Sequence, residues 1–198
     1  ETVILHNLTT FPPTIQDGLK DHTGVVSCVV FHPNQPLLGT CSHDNTAIIY
    51  DLSASPPTIQ HHLKHHKCDV KSVAFHSSFL LFATSSADKT AILYDLETVP
   101  ATIKHYFKDH QYIVFAVVFH PHLLILATAS WDDSVIIYDI STSPPTIRHC
   151  LKDHTCWVDC VAFHPSLPFL ATGSQDRSTL LYDISAFSFS LSSTLTTR

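Results

Sequence analysis

The chain has 198 residues, 44% of them hydrophobic and only 14% charged, with eleven Lys and Arg against seventeen Asp and Glu for a formal net charge of −6. Such a composition is too apolar for a disordered chain and long enough for one domain with a sizeable core, while its low charge points to a surface partly covered by partners. The acidic balance argues against nucleic acid, and the longest apolar run, Tyr112 to Phe119, falls well short of the roughly 20 residues that cross a bilayer.

The first eleven residues, ETVILHNLTTF, align with Asn45 to Ser55 and read as a third strand, so the chain opens on half of a structural unit. Thr14 to Leu19 follows a Pro pair and is read as a strand. So are the run through Val26, Val29 and Phe31, then Leu37 to Ser42, then Thr46 to Leu52. Pro33 to Pro36 separates the first two strands of the unit, His43-Asp44-Asn45 turns into the third, and Ser53 to Pro57 leads to the fourth. No stretch has helical periodicity.

The same pattern then returns every 44 residues. PPTI begins at Pro12, Pro56 and Pro144, and PATI at Pro100. Lys20, Lys64, Lys108 and Lys152 share a column, as do Phe31-His32, Phe75-His76, Phe119-His120 and Phe163-His164. Tyr50-Asp51, Tyr94-Asp95, Tyr138-Asp139 and Tyr182-Asp183 close each period. The repeats are 12–55, 56–99, 100–143 and 144–187, preceded by the half unit 1–11 and followed by a closing strand in 188–198. Four strands in a repeat of about 40 to 45 residues is the unit of a β-propeller blade. The expectation is one all-β domain over 1–198, built of four-stranded antiparallel blades, four full and one half. A half blade leaves an unpaired edge that another chain can occupy.

HTGVVSCVVFHP followed by LLGTCSHDNTAIIYDL resembles a WD-repeat, and the resemblance extends over four consecutive repeats. The family's Gly-His becomes Asp-His at Asp21, Asp109 and Asp153 and His-His at His65; Phe-Ser-Pro becomes Phe-His-Pro; Trp-Asp becomes Tyr-Asp throughout. The resemblance implies a hydrogen-bonded network that locks each blade. Its members would be His22, Thr40, Asp44 and Tyr50; His66, Thr84, Asp88 and Tyr94; His110, Thr128, Asp132 and Tyr138; and His154, Thr172, Asp176 and Tyr182. A buried imidazole and carboxylate must satisfy one another, but a tyrosine places its donor differently from an indole, which leaves the last link open.

Sixteen histidines and six cysteines raise the question of metal. The densest cluster is His61, His62, His65 and His66 with Cys68, yet the network claims His66 and alternate strand residues face opposite ways, so neither a metal nor a cofactor is expected. His32, His76, His120 and His164 form a regular series, read either as a pH-responsive collar or as ordinary turn histidines. The cysteines do not repeat in pairs as a disulfide scaffold would, which leans towards an intracellular setting, against one sequon at Asn7-Leu8-Thr9. The absence of any methionine and the start at Glu1 imply a processed, excised or partial chain.

No phosphate-cradling loop or nucleophile elbow is present, and the Asp-His pairs recur in every repeat, whereas an active site is singular. The expected function is therefore a non-catalytic scaffold that binds other proteins. Trp131 and Trp157 occupy variable columns in two loops that the resemblance places on one face, where they form an expected contact patch with Tyr112 and His43. The competing reading is that a Trp there covers a neighbouring blade. The alternative function is structural, with copies joined head to tail through their half-blade ends into a ring or filament.

Overall fold

The computed structural model describes residues 1–185 and the strand Ser190–Thr196, and every regular element among them is a β-strand. β1 (Val3–Asn7) and β2 (Thr14–Leu19) form a two-stranded sheet. β3 (Val26–Phe31), β4 (Leu37–Ser42), β5 (Ala47–Asp51) and β6 (Thr58–Leu63) form the first full blade; β7 (Val70–Phe75), β8 (Leu81–Ser86), β9 (Ala91–Asp95) and β10 (Thr102–Phe107) the second. β11 (Val114–Phe119), β12 (Ile125–Ser130), β13 (Val135–Asp139) and β14 (Thr146–Leu151) form the third; β15 (Val158–Phe163), β16 (Phe169–Ser174), β17 (Ser178–Asp183) and β18 (Ser190–Thr196) the fourth. All pairings are antiparallel, giving four blades and a partial one, and the sheets do not close into a ring. Among the described residues no helix is long and apolar enough to cross a membrane.

The hydrogen-bonded blade is out of phase with the sequence repeat. Thr58–Leu63 opens the second repeat, yet it pairs with β5 as the outer strand of the first blade. Thr14–Leu19 pairs in the same way with β1, so the partial blade extends from Val3 to Leu19. Of the closing segment, β18 pairs with β17, and residues 186–189, 197 and 198 lie outside the described residues.

Each hairpin between the second and third strands turns through one residue in the left-handed region: Asn45, Lys89, Asp133 and Arg177, at φ of 70°, 73°, 65° and 70°. Asn and Asp tolerate that conformation, whereas Lys89 and Arg177 hold it at a cost of about 1 kcal/mol. The Asp just before each of these residues closes the turn by accepting the backbone N–H two residues on, as Asp44 does from Thr46 at 3.0 Å.

Burial is concentrated between blades. One cluster, with Leu37, Ile49, Phe75, Phe82 and Tyr94, fills the seam between the first and second blades. A second, with Ala83, Leu93, Phe119 and Leu126, fills the next seam, and a third, with Ala127, Ile137, Val161 and Leu170, the last. A smaller cluster ties Val3 and Leu19 of the partial blade to Leu38, Ile48 and Tyr50. Because the first three blades are flanked by clusters on both faces, β4, β8 and β12 are buried at every residue, while β16 in the last blade is only partly covered.

Candidate functional site

The repeat places one polar cluster in each blade. In the first, His22 Nε2 lies 2.8 Å from Thr40 Oγ1 and its Nδ1 lies 3.0 Å from Asp44 Oδ2. Asp44 Oδ2 also accepts the Thr23 N–H at 2.8 Å, and Oδ1 accepts the Thr46 hydroxyl at 2.6 Å. One carboxylate thus holds the turn with one oxygen and the histidine loop with the other. The same contacts join His66, Thr84 and Asp88; His110, Thr128 and Asp132; and His154, Thr172 and Asp176. All four histidines are buried. Although desolvation opposes it, hydrogen bonds from Thr46, the Thr23 N–H and His22 hold the Asp44 carboxyl well below the ordinary range. Asp88, Asp132 and Asp176 are lowered in the same manner. The hydroxyl two residues after each Asp (Thr46, Thr90, Ser134, Ser178) was not anticipated, although its strict recurrence was visible in the sequence.

The tyrosines find their donor's partner elsewhere. Tyr50, Tyr138 and Tyr182 donate their hydroxyls to Oδ2 of Asp21, Asp109 and Asp153, each at 3.0 Å. In the second blade the residue at that column is His65, whose Nδ1 lies 3.3 Å from the Tyr94 hydroxyl. The two departures from the WD pattern are therefore one device: the residue in place of Gly receives the hydroxyl of the residue in place of Trp. Burial, then the adjacent carboxylate, raises the Tyr50 phenol far above its usual range.

The serial histidines cap turns. His32 Nδ1 accepts the N–H groups of Asn34 and Gln35, both at 3.1 Å, and His76, His120 and His164 accept the equivalent pairs. The turn reading of this series is the one the geometry supports. Three of them also pack edge-on against the next blade's phenylalanine: His32 on Phe75 at 5.2 Å, His76 on Phe119 at 5.4 Å and His120 on Phe163 at 5.1 Å. Burial lowers His32, His76 and His120 below the ordinary imidazole value.

The dense histidine cluster is divided among separate tasks. His61 is buried and accepts the Ala101 N–H at 3.1 Å, His66 belongs to its blade network, and His65 meets Tyr94. Among the described residues, no group of three His, Cys, Asp or Glu is arranged to hold a metal ion.

Trp131 stacks with two other rings. Trp157 stacks on it across the seam between the third and fourth blades, with centroids 4.3 Å apart and planes 7° apart, and Phe115 stacks on it at 5.4 Å and 14°. Its indole N–H donates to Asp159 Oδ1 at 2.8 Å. Trp131 is half-buried and covers the seam, while Trp157 keeps 38% of its surface in solvent. Tyr112 is 47% exposed beneath Lys89 Nζ, which stands 5.9 Å from the ring centroid. His43 occupies the Trp131 column at the first seam, exposed, with Nδ1 3.6 Å from Asp69 Oδ2 and Nε2 3.4 Å from Lys71 Nζ. Asp159 was missed in sequence because only the seam brings it to Trp131, and Phe115 because its place beside Trp131 follows from the β11–β12 register within the third blade.

A family model described as "WD domain, G-beta repeat" matches residues 14–51, 57–95, 101–139 and 145–183. No curated protein sequence matches the chain.

Proposed function

The chain belongs to the WD-repeat family, whose members generally act as non-catalytic scaffolds for protein–protein interaction, and on that premise we propose that this one binds a protein partner on the face carrying Trp157, Trp131, Tyr112 and His43. The supporting observation is the Trp131–Trp157 stack, an aromatic anchor held by Asp159 and Phe115 in which Trp157 keeps 38% of its surface in solvent. Repetition supports the non-catalytic reading, since the His–Asp–Thr cluster recurs in every blade and is occupied with turn closure. A photo-crosslinker placed beside Trp157 in cells tests the surface. The reading expects discrete protein adducts that disappear in Trp157→Ala, whose far-ultraviolet circular dichroism matches the parent. An identical adduct set in both chains refutes it.

A second reading, association with further copies, rests on a different observation. Val73, Phe75, Val117 and Phe119 are 4%, 8%, 1% and 9% exposed because each packs against the preceding blade, whereas Val29 and Phe31 in the same columns are 52% and 59% exposed. At the opposite end, His164 is exposed and has no aromatic partner among the described residues, although its three equivalents each rest on a phenylalanine. Phe31 and His164 are thus the two halves of a contact that all three internal seams make. Sedimentation velocity is expected to give a multiple of the chain mass that falls to one chain in Val29→Asp/Phe31→Asp. A parent chain that sediments as a monomer at high concentration refutes this reading.

A further inference from the structure

The pairing of β3 with β4 sets Cys28 directly opposite Cys41. Directly opposed residues of an antiparallel pair have Cα atoms about 4.5 to 5.5 Å apart, inside the range of about 4.4 to 6.8 Å that a disulfide spans. The same two columns hold Ser72 and Ser85 in the second blade, Ala116 and Ala129 in the third, and Cys160 and Gly173 in the fourth. All four pairs are small because the site faces the seam. Only the first blade has a thiol on both strands. Cys160 has no such partner: a Cβ at Gly173 would stand 2.6 Å from its sulfur, so the thiol fills the space a facing side chain would need.

We propose that Cys28 and Cys41 are a modification site, a vicinal dithiol that low-molecular-weight disulfides oxidise to a reversible cross-strand disulfide. The two thiols are free, and they are unequal in access: Cys41 is fully buried, Cys28 only partly. Cys28 faces the seam between the first and second blades, as Val30 does, and is partly exposed there like Ser72 and Ala116 in the same column, because the innermost strand is covered less than β4. Their acidities are divided in the same sense. The Cys41 thiol donates to Cys28 and favours the Cys28 thiolate against the opposing desolvation, while burial pushes the Cys41 thiol up. Ser27 Oγ lies 3.2 Å from Cys41 Sγ and bonds to the Cys41 and Val70 carbonyls, fixing the bulged strand beside the pair.

The chemistry is thiol–disulfide exchange. The Cys28 thiolate attacks one sulfur of oxidised glutathione; a Cys28–glutathione bond forms, the original S–S bond breaks, and one glutathione thiolate leaves. Cys41 then gives up its proton, and its thiolate attacks the Cys28 sulfur and expels the second glutathione. Two protein thiols lose two electrons and two protons, and one glutathione disulfide becomes two thiols.

The test treats the folded full chain with oxidised glutathione and measures intact mass, followed by proteolytic mapping without reductant. The proposal expects a loss of two hydrogens per chain, a linked peptide pair holding Cys28 and Cys41, and full return on adding dithiothreitol. Cys41→Ser is expected to stop at one glutathione adduct on Cys28, and Cys28→Ser to leave Cys41 unmodified. The parent chain decides the matter even if a variant fails to fold. A parent that retains glutathione on Cys28, links other cysteines, or stays reduced while Cys68 and Cys150 react overturns the proposal.

Discussion

Gly39→Ala isolates the packing of the first seam. A Cβ built at Gly39 would stand 2.7 Å from Phe82 Cε2, 3.0 Å from Phe75 Cε2 and 3.1 Å from Phe82 Cζ. Carbon atoms in contact lie at about 3.5 to 4.0 Å, so the Phe82 ring must retreat by about 1 Å. Phe82 has no exposed surface, and its ring packs on Phe75 with centroids 4.7 Å apart, so it has nowhere to go. Overpacking of this kind costs about 1 to 3 kcal/mol, or about 2 to 12 °C in melting temperature for a chain of this size. The repeat itself supplies the compensation. Across the next two seams the same columns pair Ala83 with Leu126 and Ala127 with Leu170, so a methyl on one blade accompanies a smaller side chain on the next. Phe82→Leu alone leaves a void and costs about 1 kcal/mol. The double variant Gly39→Ala/Phe82→Leu is expected to be more stable than Gly39→Ala alone. Thermal and urea unfolding of all four chains closes the cycle. Effects that add to within about 0.5 kcal/mol would falsify the seam geometry, since sites in contact couple by more than that.

Acid is expected to destabilise the fold in two steps. His32, His76 and His120 have depressed values in the folded state and accept N–H bonds at Nδ1, so their contribution is complete above the unfolded value of 6.5 and is lost as pH falls below it. The four network carboxylates contribute above their unfolded value of 3.8 and lose that contribution below it. A urea midpoint that stays level from pH 7 to pH 5 would contradict the first step. Among the tyrosines, Tyr50→Phe, Tyr138→Phe and Tyr182→Phe each remove a hydrogen bond to a carboxylate that regains water, at a cost of about 0.5 to 1.5 kcal/mol. Tyr94→Phe gives up only the longer contact to His65 and is expected to cost the least of the four; an equal loss in denaturant titrations would reject the assigned pairing.

Most of the architecture is written in the sequence because the code is periodic. A column that repeats four times at 44 residues, with strand alternation between Pro-rich turns, fixes strand number, blade type and the His–Thr–Asp clusters. The strands at Leu37–Ser42, Leu81–Ser86 and Ile125–Ser130 carry only apolar and small hydroxyl side chains, a composition that suits burial on both faces. Repetition even held the clue to the tyrosines, since Asp replaces Gly in three of the four repeats in which Tyr replaces Trp; what it lacked was the direction of the phenolic hydroxyl, a matter of geometry. Tertiary structure alone decided whatever depends on the next blade. Val29 and Val73 are the same residue in the same column, but one is exposed and the other buried, because burial belongs to the seam and not to the strand. The Trp131–Trp157 stack and the Gly39–Phe82 fit likewise join residues 26 and 43 positions apart, and no local pattern records such a distance. Cys28 and Cys41 also needed the tertiary structure: sequence places two thiols on consecutive strands, and only the register sets them opposite one another and the packing buries Cys41 while leaving Cys28 partly covered.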